Sequence, residues 1–328
     1  MPKFYIKKLT PQELGYRSGR PKGGGRYFYV SKDCLEFFPP LSENILNDSV
    51  LIPIIPPFSN NKVYSNFVYH NDKHAIENGT RDEYRLYLNK QIDPNGEYFS
   101  IDDIVVFEKQ EEKIDQEIIP TYFLNRFLAS APEYNILNNI IEKSEIRGGH
   151  ALYDGELSVS TQTTKFSADN RVIIPEEVEK EVKDKLTENE EEMGAHLFNS
   201  ISFRDFVLNS YGYKCAITNK SITWKNLNNL EAAHIKPKSH RGSFLPCNGI
   251  ALSRDMHWAF DKGFISINDD YTVLVHKDVK ETMLKEIDGK KINLPIEDFF
   301  KPNKEYLKHH RENVFGLFHH SGSLRSIN

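Results

Sequence analysis

Short runs of alternating apolar and polar residues dominate the first third of the chain. Tyr27–Val30, Val50–Ile52, Asn66–Tyr69, Tyr84–Leu88 and Asp103–Phe107 each predict a strand. Turn-forming stretches lie between them, at Gly23–Gly25, Asn60–Asn61, Asn78–Gly79 and Asn95–Gly96. Many short strands at this spacing predict a small antiparallel barrel or sandwich. From about Ile118 to Ile146 the period changes. Tyr122, Phe123, Phe127 and Leu128, then Tyr134, Ile136, Leu137, Ile140 and Ile141, follow a helical spacing. Ser158–Asp169 is polar and rich in Ser and Thr, and reads as a linker. Ala195–Tyr211 predicts another helix, followed by strand-like pieces at Lys214–Thr218, Leu230–Ile235 and Phe264–Ile267. The expected division is a β domain at 1–115, a helical segment and linker at 116–194, and a mixed domain at 195–328.

Composition narrows the function classes. A chain of 328 residues is too long for one small core. With 21 Phe and 16 Tyr it has ample material for cores, which excludes disorder throughout. The strongest apolar run, Val50–Phe58, is short and broken by Pro53, Pro56 and Pro57, so no membrane span is expected. The first residues carry no signal-peptide pattern. Cys34, Cys215 and Cys247 are too few and scattered for a disulfide framework, which points to a reducing cytoplasm. The net charge of -5 runs against a polyanionic partner, but Glu176–Glu192 alone holds nine acidic residues and three lysines. Without that stretch, a solvated helix with Val178, Val182 and Leu186 as its sparse apolar stripe, the other 311 residues stand at +1. Nucleic-acid binding needs a local basic surface, not a basic average.

The chemistry concentrates between Leu230 and Gly263. An apolar strand ends in His234, a loop holds Asn248, and a short helix carries His257 and ends at Gly263. Two histidines and an asparagine so placed suit hydrolysis with one metal ion, one imidazole taking a proton from water and the other holding the cation. The stretch resembles the HNH endonucleases, in the subgroup with an Ala-Ala-His-Ile-x-Pro strand and a His-x-x-Phe-Asp-x-Gly helix. The resemblance runs from about Phe203 to Phe315, and takes in Tyr211–Thr218 and the late helix Tyr306–Phe315. It implies a ββα-metal finger with His234 as general base, Asn248 orienting it, and His257 as a metal ligand. The chain departs from many such enzymes at Ala233, where an acidic residue or His would ligate the metal. Asp261, one helical turn after His257, is the candidate replacement. Glu231 ranks lower, because strand alternation puts it opposite to His234. His240 is taken as a surface residue. Cys215 and Cys247 lack the paired partners that zinc requires, so no structural zinc is expected.

Two N-terminal segments suit DNA. Tyr16–Arg26 places Arg17, Arg20, Lys22 and Arg26 among small residues, which favours phosphate contact. Asn78–Arg85 mixes Arg81 and Arg85 with Asp82 and Glu83, side chains able to read guanine and cytosine edges. With Lys7–Thr10, Tyr27–Lys32, Phe37–Pro39 and Ile101–Glu108, they resemble the B3-like DNA-binding pseudobarrel over roughly residues 1 to 110. The resemblance implies two arms that clasp the major groove.

The combined expectation is an α+β multidomain protein, an antiparallel B3-like pseudobarrel followed by an HNH nuclease domain with flanking helices. It would act as a site-specific restriction endonuclease of a prokaryotic cytoplasm, cutting double-stranded DNA to 5′-phosphate ends. Mg²⁺ is the expected cofactor, with Mn²⁺, Co²⁺ or Ni²⁺ able to substitute. Two alternatives stand beside it: a modification-dependent nuclease, and a DNA-binding regulator with an inert nuclease domain. Because one such site attacks one strand, a homodimer is expected, with Tyr122–Ile141 as its surface.

Overall fold

A computed structural model describes residues 2–17, 20–21, 25–73, 79, 81–114, 117–159, 172–178, 180, 198, 200–224 and 227–318. Lys22, the linker from 160 to 169 and most of the acidic stretch 176–192 lie outside the described residues. The chain divides into two compact units, Met1–Glu188 and Asn189–Asn328.

The first unit is built on one sheet of eight strands. They are β1 (Phe4–Lys8), β4 (Tyr27–Val30), β5 (Ser49–Ile55), β6 (Val63–His70), β7 (Glu83–Tyr87), β8 (Ile104–Ile114), β9 (Glu117–Phe127) and β10 (His150–Tyr153). Two further short strands, β2 (Tyr16–Arg17) and β3 (Arg20–Pro21), pair as a separate hairpin. The order in the sheet is β10-β1-β8-β9-β5-β6-β7-β4, antiparallel except for the parallel pair β5–β9. Although β4 and β8 stand five places apart, the rings of Phe28 and Phe107 meet at 5.8 Å. A flat sheet would hold those strands roughly 24 Å apart, so the sheet curls on itself. Its inner face buries Tyr5, Phe28, Phe37, Phe38, Phe67, Phe107 and Tyr122 together. Alternation sends Phe4 and Ile6 of β1 and Ile104 and Val106 of β8 to the other face. There, Leu137 and Ile141 of helix α1 (Tyr134–Lys143) cover them.

Each of the five predicted strands falls on a strand, whereas the helical reading of the segment after Ile118 holds only from Tyr134. Glu117–Phe127 is a strand, hydrogen-bonded to β8 along its whole length. It is buried on both faces, Tyr122 and Leu124 inside the curl and Phe127 under α1, so no alternation marks it. Of the segment expected as a dimer surface, Tyr122, Phe123, Phe127, Leu137 and Ile141 are buried, while Leu128 and Ile136 stay exposed.

The second unit centres on a two-stranded hairpin, β13 (Leu230–His234) and β14 (Gly249–Ser253), between helices α2 (Ser200–Ser210) and α3 (Arg254–Asp261). Strands β15 (Ile265–Ile267) and β16 (Val273–Val275), helix α4 (Thr282–Lys285) and the late helix α5 (Lys304–Asn313) complete it; a small pair, β11 (Thr223–Trp224) and β12 (Leu227–Asn228), precedes the hairpin. His234 pairs with Gly249, where an added Cβ would lie 2.3 Å from Val207 of α2. Only glycine lets that helix approach so closely. Gly263 ends α3 with φ +74 and carries the backbone of Gly316 against it, so it does cap the helix. The expected strand Lys214–Thr218 is instead a turn, tied to β14 by the bond from Ala216 N to Ala251 O at 2.7 Å. No helix of the described residues is long and apolar enough to cross a membrane.

Candidate active site

Helix α3 starts directly after β14, so the hairpin and the helix bring Glu231, Arg254, His257 and Asp261 together. His257 Nδ1 donates to Glu231 Oε2 at 2.7 Å, and its Nε2 lies 3.3 Å from Asp261 Oδ2. Arg254 Nε meets the other oxygen of Glu231 at 3.1 Å. Burial pulls the His257 imidazole down, but the bonds to Asp261 and Glu231 outweigh it and push it up to about 10. The bond from His257 in turn holds the Glu231 carboxyl below its usual range.

The spacing of four between His257 and Asp261 predicts their meeting, and the structure places them together. Glu231, ranked below Asp261 as a metal ligand, meets the other ring nitrogen of His257. Alternation does put it opposite to His234, but that is the side on which α3 packs. Strand alternation puts Glu231 on the same face as Ala233.

His234 sits elsewhere. Its partner Gly249 faces α2, and the His234 ring stacks on Phe203 of α2 at 4.1 Å and meets Phe244 edge-on at 5.5 Å. The ring is half-buried and its Nε2 is buried. Strand alternation thus turns His234 toward α2 and Glu231 toward α3, with His234 the last residue of the strand.

Asn248 is fully buried and acts on backbone. Its Oδ1 accepts from Lys236 N at 2.8 Å, and its Nδ2 donates to Lys236 O at 3.1 Å and Ser243 O at 2.9 Å. Its own carbonyl accepts from Ile235 N at 2.8 Å. It therefore fixes the two residues that follow His234.

A divalent cation suits part of this arrangement. His257 Nε2 and Asp261 offer one nitrogen and one carboxylate on one helix face, and Glu231 on Nδ1 fixes the tautomer that leaves Nε2 to a metal. Mg²⁺ commonly keeps several waters and needs only one or two carboxylates. Among the described residues no three His, Cys, Asp or Glu side chains gather as a ready metal site. The reason is local: Glu231 and Asp261 flank the ring on opposite sides. Cys215 is buried in the core beside Ser253, and Cys247 is half-buried.

The N-terminal candidates have different surroundings. Arg20 is exposed in the β2–β3 hairpin; of Arg17 the backbone alone is described, paired with Arg20. Arg26 is a correction to the phosphate-contact reading. It donates to Asp93 at 2.5 Å, to Leu14 O at 2.9 Å and to Phe99 O at 2.7 Å, so all three nitrogens are engaged inside the unit. In the second segment, Asp82 accepts from Lys32 at 2.7 Å and from Tyr69 at 2.8 Å. Glu83 is bonded by Arg85 and lies 3.6 Å from Arg81, while the Arg85 guanidinium lies 4.0 Å over the Tyr27 ring. These side chains already pair with one another.

Residues 215–268 match the HNH endonuclease family. The match covers the turn at Cys215, the hairpin, α3 and β15. No protein of curated function matches the chain in sequence. Among solved structures, a modification-dependent restriction endonuclease, TagI, is similar at 14% identity, over 68% of this chain and 79% of that one, with a TM-score of 0.30.

Proposed function

We propose that the chain is a metal-dependent DNA endonuclease of restriction type. The observation that carries this reading is the coincidence of the HNH match with the hairpin and helix that set His257 between Glu231 and Asp261. His257 and Asp261 would hold Mg²⁺, with Mn²⁺, Co²⁺ or Ni²⁺ able to substitute. When bound, the cation would supply stabilisation of charge on the phosphate and the leaving 3′ oxygen. Glu231 keeps the Nδ1 proton of His257 in place, so that Nε2 is the ligating atom. His234 takes a proton from the attacking water, and Asn248 holds the backbone beyond it. The curled sheet serves as a B3-like recognition module for duplex DNA. Arg17, Arg20 and Lys22 meet phosphates, and Arg81, Asp82, Glu83 and Arg85 exchange their internal pairs for base edges. Two copies of the chain act together on the two strands.

The test is a digest of methylated and unmethylated copies of one plasmid with Mg²⁺, followed by sequencing of the fragment ends. Discrete ends bearing 5′-phosphates are expected. Cutting of the unmethylated copy alone identifies a site-specific enzyme, and of the methylated copy alone a modification-dependent one. In the same assay Asp261→Asn raises the Mg²⁺ concentration needed for cleavage. No cutting of either copy with Mg²⁺ or Mn²⁺ overturns the reading.

A further inference from the structure

The loop from His234 to Asn248 carries Lys236, Lys238 and Arg241 and not one carboxylate. Its conformation is fixed from within and from outside. From within, Asn248 clamps Lys236 and Ser243, and Gly242 N donates to Pro237 O at 3.0 Å. An added Cβ at Gly242 would lie 1.8 Å from Lys236 O, so the loop closes this tightly only on glycine. From outside, α5 holds it at two points. His240 Nδ1 meets His309 Nε2 at 3.1 Å, and Ser243 Oγ meets Tyr306 OH at 3.1 Å. Arg241 is exposed in the left-handed region at φ 61, an uncommon place for a residue with a side chain. Among the described residues neither Lys236 nor Arg241 makes an ion pair. Lys238 lies 4.6 Å over the Phe244 ring, the same ring that meets His234.

Lys236 and Arg241, on a rigid loop that carries no carboxylate of its own, leave a local positive field that attracts an anion. We infer that loop 236–241 is a phosphate grip of the nuclease unit, in which Lys236 and Arg241 contact the DNA backbone beside His234. The His240–His309 and Ser243–Tyr306 contacts set the spacing of the two cations. The inference rests on the endonuclease reading and adds to it the surface that holds the cleaved strand.

The experiment is binding of the full chain to a duplex of arbitrary sequence in EDTA, measured over a range of salt concentrations, so that no cleavage intervenes. Lys236→Gln and Arg241→Gln are each expected to weaken binding and to reduce the slope of log K against log salt by about 0.9. Both side chains lie at least partly in solvent, so the melting temperature should hold, and Lys285→Gln on exposed α4 should leave the slope unchanged. With Mg²⁺ restored, the Lys236→Gln, Arg241→Gln double variant should cleave more slowly at low DNA concentration. Wild-type binding and cleavage with unchanged slopes in both single variants overturns the grip alone. A wild-type chain that binds and cuts no DNA overturns the endonuclease reading, and the grip with it.

Discussion

The curled sheet and the loop after His234 treat their cations in opposite ways. In the curled sheet, Lys7, Arg26, Arg85 and Arg126 each close on a carboxylate within the unit. In the second unit, the loop after His234 leaves Lys236 and Arg241 without an ion pair among the described residues. The first arrangement spends charge on holding strands and loops together; the second keeps it available to a ligand. A basic stretch in sequence therefore says little until its acceptors are known. Arg26 looked like part of a flexible basic arm, yet its partners are Asp93 and the backbone carbonyls of Leu14 and Phe99.

The largest expected effect lies in the second unit. His234→Ala should lower the cleavage rate by about 10²- to 10⁴-fold while DNA binding stays nearly intact, because a general base acts on water. Rate and affinity measured on one preparation check this, and full cleavage by the variant removes His234 from the reaction. Next comes Arg26→Ala. Breaking a half-buried, hydrogen-bonded charge should destabilise the first unit by about 2–3 kcal/mol, seen as an earlier melt. The salt dependence of DNA binding should not change; a slope reduced by one contact would return Arg26 to the phosphate-binding set.

A third expectation concerns pH. His150 is buried in the first unit, its Nδ1 2.8 Å from Tyr5 OH and its Nε2 3.3 Å from Lys7 Nζ. Burial, with Lys7 adding to it, pulls the imidazole down to about 3. The unfolded chain binds this proton near pH 6.5, while the folded unit refuses it until about pH 3. Stability is therefore intact above about pH 6.5 and falls as pH drops through that window, by up to about 1.4 kcal/mol per pH unit. His310 of the second unit, stacked on Phe260 at 3.7 Å, is pulled to about 3 by burial as well. His257 is the contrast, since its two carboxylates favour the charged ring. Denaturant melts at pH 4 to 7 should show His150→Gln flattening the acid slope; an unchanged slope would exclude His150 as a source of it.

Legibility in the sequence followed locality. Strands with one face in solvent, such as β7 with Tyr84 and Leu86 inward and Glu83 and Arg85 outward, show their period directly. Strand β9 does not, because both faces are buried and Phe123 and Phe127 fall four apart, as on a helix. The pair His257 and Asp261 could be read from helical spacing alone. Glu231 required knowing which face of β13 the helix covers, and that is a tertiary fact. The clamp made by Asn248 was visible as a residue but not as a set of bonds, since its partners are backbone atoms of Lys236 and Ser243.

The strand order of the first unit also governs synthesis. Strand β1, near the N-terminus, pairs only with β8 and β10, and β5 waits for β9. Until Tyr153 has left the ribosome, the sheet keeps open edges that chaperones would need to shield. The hairpin and helix of the second unit come later still. At about 5–20 residues per second, roughly ten seconds or more separate completion of the sheet from emergence of α5. Each nascent chain thus finishes the strands of its curled sheet before the hairpin that carries His234 has emerged.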